Sequence, residues 1–125
     1  MHIKVQESSI HGRGVFALKD FQPGEVIEVC PVLVLSAEDT RVLDKTEVYN
    51  YYYSWQDGGS ALALGYGSLY NHSYTPNAVR EKDFKNDQIV IRAHTPIRKG
   101  EEITHNYNGD PTNQKKVWFE AGSAN

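Results

Sequence analysis

Apolar and polar positions along this chain alternate in short bursts, each stopped by glycine, proline or a polar cluster. Residues 3–6 alternate with period two, as a half-buried strand should. A turn-rich stretch over residues 8–14 then feeds the apolar Val15-Phe16-Ala17. Pro23-Gly24 marks the next turn, and a β-branched run follows at residues 26–34, where Pro31 predicts an edge or a bend. Ser36-Ala37-Glu38-Asp39 has the serine-x-x-acid form of a helix N-terminus and predicts a short helix. After the Asp57-Gly58-Gly59 turn, residues 61–64 read as buried, and residues 88–93 read as a strand behind the polar turn Lys85-Asn86-Asp87. Pro23-Gly24-Glu25-Val26-Ile27 and Lys99-Gly100-Glu101-Glu102-Ile103 share one form, a glycine turn feeding a strand, and no larger unit repeats. The pattern predicts a mainly β domain of many short strands with one or two short helices. Its expected extent is residues 1–119, with residues 120–125 fraying.

Composition narrows the class. A chain of 125 residues fits one domain, and 39% hydrophobic with 23% charged residues is globular rather than disordered. The longest nearly apolar stretch, residues 26–35, carries Glu28 and Pro31 and is too short to span a bilayer, so no membrane partner is expected. Thirteen basic against sixteen acidic residues give a net charge of -3, which supplies no global field for direct nucleic-acid binding. Cys30 is the only cysteine, which excludes an internal disulfide framework and a multi-cysteine zinc site within one chain. Residues 1–7 lack the apolar core of a secretion signal, so the expected setting is intracellular and reducing.

Candidate chemistry gathers in three places. Seven of the eight tyrosines fall between Tyr49 and Tyr74, including the run Tyr51-Tyr52-Tyr53, with Trp55 among them. Tyrosine favours strands, so packing explains any one of them, but three in a row cannot all face one side. Some hydroxyls must reach water or a partner, and a tyrosine-lined slot suits the stem and cationic head of a lysine. His11-Gly12-Arg13-Gly14 lacks the third glycine and the helix of a dinucleotide fingerprint; it reads as a turn whose glycines allow backbone to approach a ligand. Asn71-His72-Ser73-Tyr74-Thr75-Pro76-Asn77 has no nucleophile elbow for a hydrolase, and the five scattered histidines show no metal-ligand spacing. It remains a polar loop whose side chains bond either the chain's own backbone or a polar heterocycle.

Gly12-Arg13-Gly14-Val15-Phe16-Ala17, Asn71-His72-Ser73 with Pro76-Asn77, and Gly100-Glu101-Glu102-Ile103-Thr104 with Tyr107 follow one another in a fixed order. In that order the chain resembles SET-domain protein lysine methyltransferases from about residue 5 to residue 110, most of all the short stand-alone members of viruses and bacteria. The resemblance implies a β-clip-like fold of several small sheets, with residues 71–77 and 100–107 threaded together as a pseudoknot. It also implies S-adenosylmethionine as methyl donor and a protein lysine, such as one in a histone tail, as acceptor. By the same resemblance Gly12 and Arg13 hold the donor through backbone groups, Asn71 and His72 contact its adenine and amino-acid portions, and Tyr107 is the catalytic tyrosine. Tyr51 falls where channel aromatics lie, and Trp118 or Phe119 would cover the adenine.

The chain also departs from the resemblance. The cysteine-rich zinc flanks of histone-type members are absent, so the channel would be closed by residues 108–119 or by a second copy in a symmetric dimer. Two positions before Tyr107, where relatives often carry the aromatic that influences how many methyl groups are added, stands His105, which is either a substrate-channel residue or a surface residue. The chemistry needs no metal: an in-line displacement at a sulfonium carbon requires a neutral, aligned amine. Tyr107, with an ordinary phenol pKa of about 10, would orient and polarise rather than abstract. The alternative reading is a non-catalytic SET module that binds a lysine-containing peptide or the cofactor alone.

Overall fold

The computed structural model describes residues 1–116, so Trp118, Phe119 and the tail 120–125 lie outside the described residues. The chain forms β1 (Ile3–Glu7), β2 (Arg13–Ala17), β3 (Val26–Leu35), α1 (Ala37–Leu43), β4 (Tyr53–Ser54), β5 (Ser60–Ala63), β6 (Asn71–His72), β7 (Ala78–Asp83), β8 (Gln88–Ala93) and β9 (Glu102–His105). Single 3-10 turns at Glu47–Asn50 and Gln56–Gly58 flank β4. Two small sheets result, one ordered β1-β2-β9-β6 and the other β4-β5-β3-β8-β7.

Local chemistry explains most of these boundaries. Ser36 caps α1, its hydroxyl accepting from the Asp39 amide at 3.0 Å, and Glu38 and Asp39 sit in the first turn where the helix dipole favours them. Along β8, Ile89, Ile91 and Ala93 are buried and alternate with half-buried Gln88, Val90 and Arg92, the period-two pattern of a half-covered sheet. The two glycine turns meet through the segments that precede them: Phe21 and Ile97 exchange backbone bonds of 2.7 and 2.9 Å.

Three expectations are corrected. Of the edge or bend that Pro31 predicted, the edge is excluded, because β3 is the centre of its sheet. Its first part pairs with β8 and its second, from Val32, with β5. Pro31 stands at this hand-over: its carbonyl accepts from the Leu64 amide at 2.9 Å, and only the return bond of that last ladder step is lost. Leu64 is 48% exposed because β5 ends at Ala63. Arg13 and Gly14 belong to β2 rather than to the preceding turn, paired with Glu7 and Gln6.

The core runs between the sheets, with Ile3, Val15 and Ile103 on one side and Cys30, Ala61, Ile89 and Ile91 on the other. Segments 71–77 and 100–107 are bound together as the β-clip reading requires. β6 pairs in parallel with β9, Asn71 opposite Thr104 and His72 opposite His105. The Asn77 side chain then acts as a further strand residue, donating to the Glu102 carbonyl and accepting from the Thr104 amide, both at 2.9 Å.

Candidate active site

Three chain segments far apart in sequence are tied at Asn71. Its buried amide group donates to the carbonyls of His11 and Arg13, both at 3.1 Å, and to a Glu102 carboxylate oxygen at 2.8 Å. The second Glu102 oxygen accepts from the Ser8 hydroxyl at 2.6 Å. Glycine at position 14 lets the Glu102–Asn71 pair sit against the backbone, because a Cβ there would lie 2.2 Å from Glu102 Oε2 and 2.9 Å from the Asn71 amide nitrogen and would displace them. The Asn71 side chain therefore fixes the walls of the site through the chain's own backbone.

Immediately beyond β9, Tyr107 is held at both ends. Its backbone amide donates to His72 Nδ1 at 3.0 Å and its hydroxyl donates to the Tyr70 carbonyl at 2.9 Å. An accepting Nδ1 places the proton of neutral His72 on Nε2. The His72 ring meets Tyr74 edge-on at 4.3 Å and lies 5.1 Å from the Tyr107 ring. Burial pushes the Tyr107 phenol up to about 12, partly offset by the positive charge of Arg80. At neutral pH it is a phenol, able to donate and to polarise but not to act as a phenolate base.

Two cavities meet at this tyrosine. The smaller, about 270 Å³, is walled by the tyrosine cluster together with Ser54, Arg80, His105 and Tyr107. The larger, about 650 Å³, is walled by the turn residues His11 and Gly12 with Arg13 at the start of β2, by Leu69, Asn71 and His72, and by Glu47. Asn50, Tyr51, Ser68, Tyr70 and Tyr107 line both. The tyrosine run divides as its geometry demands. Tyr51 is 42% exposed at the shared mouth, the Tyr52 hydroxyl bonds Asp44, and Tyr53 is buried with its hydroxyl on the Gly67 carbonyl at 2.5 Å.

The structure therefore brings Gly12, Arg13, Asn71 and His72 to the larger cavity and His105 to the smaller, with Tyr51 and Tyr107 in both. Trp118 lies outside the described residues. None of residues 108–116 lines either cavity: Gln114 bonds the Tyr74 carbonyl, and Asn106 and Asn108 bond the carbonyls of Asn113 and Lys115. Among the described residues no group of three or more His, Cys, Asp or Glu side chains could hold a metal ion.

The surface alternative for His105 is wrong. It is only 2% exposed, because β9 lies between β2 and β6 and is covered on both faces. Its Nδ1 finds no hydrogen-bond partner among the described residues, and burial followed by the Arg80 charge lowers its pKa to about 3. The unfolded chain takes up this proton near pH 6.5 while the folded chain resists it, so the contribution of His105 to stability is lost as pH falls below 6.5. At pH 5 the loss is about 2 kcal/mol. Urea titrations of wild type and His105→Phe at pH 8 and pH 5 should differ in pH dependence by that amount, and equal dependences would refute the burial argument.

Sequence reasoning missed Tyr70, Glu102 as the tie to Asn71, and above all Arg80. Glu102 stands inside a quoted motif, next to the glycine turn. Arg80 gave no signal, because it lies in the charged run Arg80-Glu81-Lys82-Asp83 of β7, where nothing marks one charge from its neighbours.

Glycine-turn backbone, a parallel strand pair and a half-buried tyrosine joining two cavities converge on one site. The SET domain family profile matches residues 12–108, and the chain belongs to that family, an enzyme of the protein-lysine methyltransferase class. It is 36% identical, over 94% of its length and 77% of the relative's, to a Schizosaccharomyces pombe protein named Histone-lysine N-methyltransferase, H3 lysine-37 specific. It is 32% identical over 84% of its length to human Histone-lysine N-methyltransferase 2B, of which it spans only 4%. The crystal structure of a Plasmodium falciparum protein named a putative histone methyltransferase superposes with a TM-score of 0.70 at 34% identity, over 86% of this chain and 98% of that one. A chain of the Chaetomium thermophilum Polycomb Repressive Complex 2 shares the fold, with a TM-score of 0.69 over 84% of this chain and 14% of that one; at 20% identity the likeness concerns the fold alone.

Proposed function

We propose that the protein transfers a methyl group from S-adenosylmethionine to the ε-amine of a lysine in a protein substrate. One observation carries this reading: two cavities of different character are both lined by Tyr107. The larger fits the donor. Its volume lies in the range of small-molecule sites, the glycine turn gives it a wall of bare backbone, and Leu69 and Ile10 give an apolar surface for a base. Arg13 and Glu47 place one cation and one carboxylate on its walls, the two charges that a zwitterionic amino-acid portion would meet. Gly12, Arg13, Asn71 and His72 would hold the donor there. The smaller cavity, aromatic and without a carboxylate among the described residues that wall it, suits an aliphatic stem.

When bound, the donor supplies an electrophilic methyl group on a sulfonium. The chain supplies alignment, which can contribute effective molarities on the order of 10⁵ M or more. Tyr107, anchored by its amide on His72 and its hydroxyl on the Tyr70 carbonyl, fixes the junction through which the amine must approach. Its high pKa keeps the hydroxyl a donor, so the acceptor amine loses its proton to solvent rather than to the tyrosine.

Histone H3 is the first acceptor to test, because the yeast relative is named for lysine 37 of that protein. Incubation with labelled donor and recombinant H3, read by mass spectrometry, should show methylated lysine. Saturable donor binding with no transfer to H3 or to lysate proteins would overturn the proposal in favour of a non-catalytic module.

A further inference from the structure

The smaller cavity holds one charged side chain, and its sign is unexpected for a site that receives an ammonium. Among the described residues lining it, Arg80 is the only ionised group at neutral pH; the others are tyrosines, Asn50, two serines and the neutral His105. The guanidinium lies over the Tyr53 ring at 4.8 Å, and one Nη donates to the Tyr107 carbonyl at 3.2 Å. No carboxylate pairs with it among the described residues.

The carboxylates on the neighbouring strands β3 and β9 are engaged by other groups. On β3, the Glu28 carboxylate is engaged by the Tyr70 hydroxyl at 2.7 Å and the Tyr66 amide at 2.9 Å. On β9, Glu102 is engaged by Ser8 and Asn71, and His105 is neutral. On β7 itself Glu81 is paired with Arg92, and the next group is a second cation, Lys82, whose ammonium bonds the Ser54 carbonyl and hydroxyl. Tyr53 and Tyr107, the remaining titratable neighbours, are both shifted upward by burial and uncharged.

We infer that Arg80 makes this cavity select the acceptor lysine as a neutral amine, expelling the proton as the side chain enters. The inference rests on the reading of the cavity as the lysine site. Arginine stays protonated at any working pH, so the repulsion is permanent. A unit charge about 6 Å away at an effective dielectric of about 20 lowers an amine's pKa by about two units. Lysine enters with a pKa of about 10.4, so the arginine covers a substantial part of the distance to neutrality before any donor charge contributes. The step balances: an N–H bond of the ammonium breaks, its electron pair stays on nitrogen, and the proton leaves to buffer. Arg80 acts here as a positioning residue for charge, since it needs no contact with the reacting atoms.

The test is calorimetric and separates this contribution from that of the donor. S-adenosylhomocysteine, whose sulfur is uncharged, occupies the donor site. A histone H3 peptide around lysine 37, and the same peptide with norleucine, are titrated at pH 9 in two buffers of different ionisation enthalpy. With the bound lysine lowered by about two units from about 10.4, the lysine peptide should release about three-quarters of a proton per complex and the norleucine peptide none. Arg80→Gln should lower the release by half or more, and Arg80→Lys, which keeps the charge, should restore it. Binding of both peptides to wild type without proton release overturns the inference alone, and needs no variant to fold. Failure of both peptides to bind removes the lysine-site reading beneath it.

Discussion

Replacing Tyr107 by phenylalanine should lower methyl transfer about a hundredfold or more while leaving donor affinity within a few-fold of wild type. The substitution removes one oxygen and little else. The backbone amide bond to His72 Nδ1 survives, because it does not involve the side chain, and the ring contacts with His72 and His105, each at 5.1 Å, are kept. What disappears is the hydroxyl anchored on the Tyr70 carbonyl at the meeting point of the two cavities. Removing one positioned polar group at a reacting centre typically costs about a hundredfold to a thousandfold. The larger cavity has its other walls in Gly12, Arg13, Leu69 and His72, which the change does not touch. Single-turnover transfer at saturating donor, set beside calorimetric donor titration, measures the two quantities separately. A rate within threefold of wild type would remove the hydroxyl from the mechanism, and an equal loss in donor affinity would make the residue structural.

What the sequence disclosed and what it withheld divide along a physical line. Periodicity and caps are local, so β8 and the start of α1 were legible in residues 88–93 and in Ser36 to Asp39. The three ordered motifs disclosed which segments meet, and the structure joins them at Asn71, Glu102 and the carbonyls of His11 and Arg13. Burial set by non-local pairing was not legible. His105 could be read as channel or surface because the coverage of β9 on both sides depends on strands 30 and more residues away. Arg80 could not be read at all, since a charged residue in a polar strand ordinarily faces water; only the folding of β4 and the segment after β9 around it turns its guanidinium toward a cavity. The tyrosine run lay between these cases. Its spacing required the three side chains to part, and the fold decided that Tyr51 takes the mouth and Tyr53 the interior.

Asn71→Ala should lose donor binding and cost about 1–3 kcal/mol of stability together, since the same bonds serve both. Truncation leaves two backbone carbonyls and a half-buried carboxylate oxygen without their donor, and an unmade bond to such a group costs more than a made one contributes. The glycine turn is then free to leave β6, and the larger cavity loses one wall. Asn71→Asp sharpens the argument. It places a carboxylate where the amide met Glu102 at 2.8 Å, so two negative charges share one position and the loss at neutral pH should exceed that of alanine. Adding Glu102→Gln to that variant restores a donor–acceptor pair with the roles exchanged, and should recover part of both stability and donor affinity. Thermal melting and donor titration of the two single variants and the double variant close the cycle. Recovery of stability without recovery of donor binding would mean that Asn71 meets the donor directly. Recovery of both would mean that it acts only by tying the glycine turn, β6 and β9 into one wall.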